Sequence, residues 1–268
     1  MADTPTGNRD LTEPPTRLRD IPLWFSVALP AFLMLAFLAS GPFGPEAIEW
    51  WVAQESGFFE HATVLVLIPG IAAGVWACAK GRRLPGQWLR WWILLWALAA
   101  LYFAGEEASW GQHWFGWDTP DAWVEHNKQA ETNLHNTSSW LNMKPRTAVE
   151  LWIFVGGVVV PAIQFFKRRR PSPRQARYWF WPTAVGFTAA FMNIVGRGVE
   201  VAEDIVARRT GREDPWHNLD SSEAREFFIA LFLAFYLVSF ALRLHDARKQ
   251  RLLVTPHPAP STPPDAST

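Results

Sequence analysis

Two short stretches hold most of the residues able to do acid–base or metal chemistry. The first runs Gly105-Glu106-Glu107-Ala108-Ser109-Trp110-Gly111-Gln112-His113. Adjacent glutamates suit an acid–base pair or a pair of metal ligands, because two close carboxylates cannot both stay ionised cheaply. On a continuous helix Glu106, Trp110, His113 and Trp117 would share a face, at i, i+4, i+7 and i+11. The second stretch places Asn127, Glu131 and His135 at i, i+4 and i+8, again one helical face. A Glu and a His four apart can both reach one ion, so Glu131 and His135 are candidate ligands of a divalent metal. Asn133 and Asn136 add amides. With Trp110, Gln112 and Asn127 they form the candidate substrate contacts.

A third pattern lies further on. Asn193, Arg197, Glu200 and Asp204 fall at i, i+4, i+7 and i+11, a stripe that begins inside an apolar run. Glu106, Glu107, Arg197 and Glu200 are the candidate catalytic groups, with Arg197 able to hold an anionic head group. An Arg197–Glu200 pair that only locks two helices together fits the same spacing. Single histidines such as His61, His126 and His217 are more often structural than ligating. Ser109 has no triad around it. The chain has one cysteine, so neither an internal disulfide nor a cysteine metal site is open to it. No Gly-rich phosphate loop or Cys-x-x-Cys pair occurs.

Something must position these groups, and the apolar segments 21–40, 62–79, 88–104, 148–166, 178–195 and 227–242 are the elements available. Each approaches the ~20 residues needed to cross a hydrocarbon core. Sorting the charges of the intervening loops and the span ends, Arg90 and Glu150 included, by alternation puts 17 of the 25 Lys and Arg on one side and 19 of the 25 Asp and Glu on the other. Basic residues gather on the cytoplasmic side of a membrane. The expected fold is therefore all-α: a polytopic membrane bundle of six transmembrane helices, both termini inside, in a bacterial inner membrane. An extra interfacial helix is expected on the outer face near 120–136, started by Asp118-Thr119-Pro120-Asp121. A shorter outer element is expected at 45–58, and the fifth span should continue as helix until Thr210-Gly211. The membrane domain runs 21–251, between a disordered cytoplasmic N-terminus at 1–20 and a disordered tail at 252–268.

Composition supports this. Of the 17 Trp, many flank the apolar runs: Trp50, Trp51, Trp110 and Trp152 on the acidic side, Trp88, Trp91, Trp92, Trp179 and Trp181 on the basic side. That is the pattern of aromatic belts at the two interfaces. Net charge is zero, which gives no pull on nucleic acid. The basic runs Lys80, Arg82, Arg83 and Lys167-Arg168-Arg169-Arg170 act first as orientation signals, and anionic lipid heads are the partners they would attract.

Every span from the second to the sixth carries a carboxylate near its acidic-side end: Glu60; Glu106 with Glu107; Glu150; Glu200 with Glu203 and Asp204; Glu223 with Glu226. If these ends converge they line one pocket. Such groups at membrane depth need a partner, a proton or a metal.

The segment Glu106-Glu107-Ala108-Ser109-Trp110-Gly111-Gln112, followed by Asn127, Gln129 and Glu131-Thr132-Asn133-Leu134-His135-Asn136, resembles a motif pair in an uncharacterised family of bacterial multi-pass inner-membrane proteins. The resemblance implies a motif-bearing site in such a membrane and no particular substrate. The double Glu also resembles that of glutamate-dependent membrane proteases, but Gly111 stands where those carry an Arg.

Three function classes follow. A periplasm-facing pocket of Glu, His and Asn with a bound divalent ion would make a hydrolase or transferase acting on a membrane lipid or lipid-linked substrate. A transporter or channel would use the same ionisable groups, yet the inner halves of the spans are almost wholly apolar. A non-catalytic envelope docking protein would use the Trp-rich segment around Trp110, Trp114, Trp117 and Trp123.

Overall fold

The computed structural model describes residues 18–53, 57–121, 139–167, 171–210 and 221–253. Among these the chain is helical throughout, with no strand. The helices are α1 (Leu23–Ser40), α2 (Pro45–Val52), α3 (Phe58–Lys80), α4 (Trp88–Glu107), the single turn α5 (Gln112–Phe115), α6 (Ser139–Ile153), α7 (Val160–Lys167), α8 (Ala176–Phe180), α9 (Phe187–Thr210) and α10 (Ser221–Lys249). A π-helical segment, Phe154–Val159, joins α6 to α7.

The bundle is built around α10. Its sequence from Phe227 to Phe240 is apolar on every side, and a helix of that kind must be enclosed. Accordingly Phe228, Phe232, Leu237 and Phe240 have no exposed surface. Helices α3, α4, α6, α9 and α1 lie around it. Gly74 lets three of them meet: a Cβ there would stand 2.7 Å from Ala97 Cβ and 2.9 Å from Leu237 Cδ2. Close approach through small residues is how helices associate in lipid, where burying apolar area gives no drive.

The surrounding helices present large apolar side chains outward. Phe32 and Leu35 on α1, Leu65 and Ile68 on α3, Leu95 and Leu98 on α4 and Phe165 and Phe166 on α7 are all exposed. A soluble bundle would not carry such a continuous apolar belt. Among the described residues, five helical stretches are long and apolar enough to cross a membrane: Leu23–Phe43, Phe58–Arg83, Trp88–Glu107, Arg146–Lys167 and Ser221–Lys249. The chain is an all-α membrane protein.

The fifth apolar run, 178–195, is not one helix. Proline at 182 lacks a donor and biases Trp181 toward extended backbone, so α8 ends at Phe180 and α9 begins at Phe187. From there α9 continues to Thr210, as expected. Helix α2 is the short element expected at 45–58; Gly44 at φ 99° turns the chain and Pro45 opens the helix. The interfacial helix near 120–136 lies outside the described residues, apart from Asp121.

Two tryptophans expected at the interfaces are packed inside instead. Trp179 has no exposed surface, and its indole donates to Pro173 O at 2.7 Å. Trp152 stacks on Trp96 and Trp181 with centroids 5.5 and 5.2 Å away. Aromatic rings satisfy a core as readily as an interface when their N–H finds a partner or their faces find other rings. Beside them the Tyr236 hydroxyl accepts from Trp92 Nε1 and donates to Phe180 O, each at 2.9 Å. Arg19 N donates to Asp246 Oδ2 at 2.8 Å, Thr183 Oγ1 donates to Asp20 Oδ2 at 2.9 Å, and Leu253 is buried.

Candidate functional site

Among the described residues most carboxylates gather at one end of the bundle, together with Arg146, Arg197 and Arg225. At that end stand the C-terminus of α4, the second half of α6, the middle of α9 and the N-terminus of α10. Ion pairs join them into one line. Arg146 Nη1 bonds Glu226 at 2.6 Å, and its Nε lies 3.4 Å from Glu150. Arg225 then bonds Glu150 through Nη2 and Glu200 through Nη1, both at 2.5 Å. Arg197 closes the line on Glu200 at 3.0 Å.

Arg225 is the buried cation of this line, with 5% of its surface exposed. Two local features place it. Asn193 donates to its carbonyl at 3.2 Å, and Ser221 donates to Gly196 O at 3.2 Å, so α9 and α10 are pinned there. Gly196 then leaves room for the arginine stem: a Cβ at 196 would lie 2.8 Å from Arg225 Cγ. Burial would raise the Glu200 carboxyl. The Arg197 hydrogen bond and the Arg225 charge outweigh it and hold the group below the ordinary carboxylate range.

Next to Arg146, three carboxyl groups converge. Oxygens of Glu107, Glu223 and Glu226 all lie within 4.8 Å of one another, and Glu60 adds its field. Three full negative charges at this spacing need a shared proton or a cation among them. Oxygen donors opposed across a Ca²⁺ or Mg²⁺ stand roughly 4–5 Å apart, so the trio is a set of hard ligands of fitting span.

The adjacent glutamates divide. Helix α4 ends at Glu107, and Ser109, Trp110 and Gly111 follow with φ of 41°, 55° and 103°. Two non-glycine residues in the left-handed region cost roughly 1–3 kcal/mol each. This turn folds the Trp110 ring back onto Gly105, whose Cβ would meet it at 2.9 Å. Trp110 Nε1 then donates to Glu106 Oε1 at 2.8 Å, and Tyr102 bonds the same carboxylate. The i, i+4, i+7, i+11 face expected for Glu106, Trp110, His113 and Trp117 is therefore broken after Glu107. Glu106 belongs to Trp110 and Tyr102, whereas Glu107 belongs to the trio. Gln112 donates to Thr119 Oγ1 at 2.9 Å. Asn127, Glu131, Asn133, His135 and Asn136 lie outside the described residues.

Arg197 and Glu200 do pair, and Arg197 keeps 59% of its side chain exposed. Arg146 and Arg225 were not among the residues expected from the sequence. One signal was present: Arg146 and Glu150 are four apart on one helix face, and Glu223, Arg225 and Glu226 precede the most apolar run of the chain. A cavity of about 610 Å³ opens beside Glu200, walled by Glu203 and Asp204 of α9 and by Ile48, Glu49 and Val52 of α2.

Fold and site together define a polytopic helical membrane protein with a carboxylate–guanidinium cluster at one end. No protein-family model, curated protein or solved structure matches the chain.

Proposed function

We propose that this protein is a metal-dependent hydrolase or transferase of the bacterial inner membrane. Its substrate is a lipid or lipid-linked molecule reached from the periplasmic side. The observation that carries the reading is the junction of two unlike parts: the Glu107–Glu223–Glu226 carboxyl trio and the Arg146–Glu150–Arg225–Glu200–Arg197 line, joined by the Arg146–Glu226 bond of 2.6 Å. The trio would hold a divalent ion; such an ion polarises a phosphoryl or carbonyl oxygen and lowers the pKa of bound water. Glu131 and His135 are proposed as further ligands on residue type and spacing. Arg197, with more than half of its side chain exposed, would hold an anionic head group. The remaining acids fix these arginines in place before substrate arrives.

The charge segregation of the loops supports the orientation, and the motif pair around Glu106 and Glu131 supports kinship with the bacterial membrane proteins it resembles. Transport finds less support. Between Glu226 and Tyr236 the central helix offers only Phe, Ile, Leu and Ala, so α10 provides no polar step across that stretch.

The test is release of water-soluble head groups from a bacterial lipid extract by the detergent-purified chain, followed by mass spectrometry. The expected result is release that needs a divalent ion, stops with chelator and is abolished in Glu107→Gln and Glu226→Gln. Release that ignores both chelator and these substitutions, or no release from any lipid class, contradicts the reading.

A further inference from the structure

The opposite end of the bundle holds a second cavity, of about 410 Å³, that the proposed chemistry does not use. Its walls are Arg83, His245, Arg248, Lys249, Arg251 and Leu253. Arg83 comes from the turn after α3 and the others from the end of α10. The packing of α3 on α10 brings them together, with Trp76 against His245 at a centroid distance of 6.0 Å.

Among the described residues no carboxylate lines this cavity. The nearest acid in sequence, Asp246, is engaged elsewhere, accepting from Arg19 N at 2.8 Å and Gln250 Nε2 at 3.0 Å. Among the described residues Arg83, Arg248, Lys249 and Arg251 have no ion-pair partner. A helix C-terminus attracts bases, and topology places bases at this end, but neither effect requires them to converge on one hollow.

The backbone adds a separate sign. Helix α10 ends with Leu252 N donating to Ala247 O at 3.0 Å and Arg251 N donating to Arg248 O at 3.2 Å. In this closing turn the left-handed position is usually glycine. Here it is Arg251, at φ 55°, a conformation that L-residues adopt at a cost. The strained residue brings one more guanidinium to the cavity.

We propose that this cavity binds the phosphate-bearing head group of an anionic phospholipid. The guanidinium groups of Arg83, Arg248 and Arg251 take the phosphate oxygens. The occupant is a lipid because the cavity lies at the ends of two membrane-length helices. In addition, the outward apolar face of α3, with Leu65, Ile68 and Val75 each about half exposed or more, leads along that helix to Arg83 and gives an acyl chain its track. The inference rests on the membrane fold alone and is independent of the enzymatic reading.

The experiment uses the full chain, delipidated in detergent. Binding of cardiolipin, phosphatidylglycerol, phosphatidylcholine and inorganic phosphate is measured by native mass spectrometry and by thermal shift. The expected order is cardiolipin above phosphatidylglycerol above phosphatidylcholine, with no measurable gain from inorganic phosphate. Arg248→Gln should weaken cardiolipin binding about fivefold, and Arg248→Gln with Arg251→Gln about twenty-five-fold. Lys80→Gln with Arg82→Gln removes the same charge from the same end outside the cavity and should leave binding within twofold. Arg251→Gly separates binding from folding: it relieves the left-handed strain, so the apo protein should melt higher while cardiolipin binds more weakly. Equal losses in the two double variants would overturn the proposal. So would binding of inorganic phosphate as tight as that of lipid, or the absence of any preference for anionic lipid.

Discussion

Arg225 Nη1 and Glu200 Oε2 stand 2.5 Å apart, joining the middle of α9 to the first turns of the central helix α10. The same guanidinium holds Glu150 of α6, so one buried side chain ties three helices at the acidic end. Such a group is costly to bury and costlier to leave unpaired.

Replacing Arg225 with Met should destabilise the bundle by about 3 kcal/mol, the lower end for breaking a buried pair, because Arg146 and Arg197 still face the two orphaned carboxylates. Converting Glu150 and Glu200 to Gln in the same chain should recover part of that loss, since no carboxylate is then orphaned, Arg146 keeps Glu226 and Arg197 is largely exposed. Thermal unfolding in detergent, read for the single and triple variants, checks both signs.

Gly196→Ala tests how the arginine is seated. In an open helix this change should stabilise by up to about 1 kcal/mol. Here the new Cβ falls 2.8 Å from Arg225 Cγ, so the expected effect is a loss of about 1–3 kcal/mol. In an Arg225→Ala background the clash has no partner and the loss should vanish, which a double-mutant cycle measures.

Glu200 gives a pH dependence of known sign. Its carboxyl sits below the ordinary value of 4.5 in the folded protein. The stability it contributes is present in full above that ordinary value and is lost as pH falls through the depressed one. Unfolding followed from pH 6 down to about 3 should show a decline that is smaller in Glu200→Gln. About a third of the side chain is exposed, so the difference should also shrink in high salt.

Much of the fold is legible in the residues. Apolar runs of membrane length give α1, α3, α4 and α10 directly, and Gly44-Pro45 marks the start of α2. Pro182 announces the break within the fifth run, but hydropathy alone hides it, since apolar residues continue on both sides. The candidate site is legible only in part. Glu107, Arg197, Glu200 and the span-end acids Glu223 and Glu226 are visible as chemistry-bearing types near helix ends. Which of them meet depends on helix rotation, and periodicity fixes a face without naming the neighbour it meets. Hence Glu106 and Glu107 read as a pair, although α4 ends between their partners and Trp110 claims the first. No propensity announces that turn, because neither Ser109 nor Trp110 belongs to the residues that favour left-handed backbone. Arg225 is hidden for a similar reason: an Arg at the mouth of an apolar helix reads as a boundary charge, not as the centre of a cluster.

The central claim is that Glu107, Glu223 and Glu226 hold a divalent cation. Elemental analysis of the detergent-purified chain, after dialysis against divalent-free buffer and with protein quantified on the same sample, tests it most directly. Close to one divalent ion per chain is expected, falling to background in Glu107→Gln and Glu226→Gln variants whose unfolding remains cooperative. A folded wild-type chain with no ion above background, unchanged after incubation with Mg²⁺, Ca²⁺, Mn²⁺ or Zn²⁺, would contradict it.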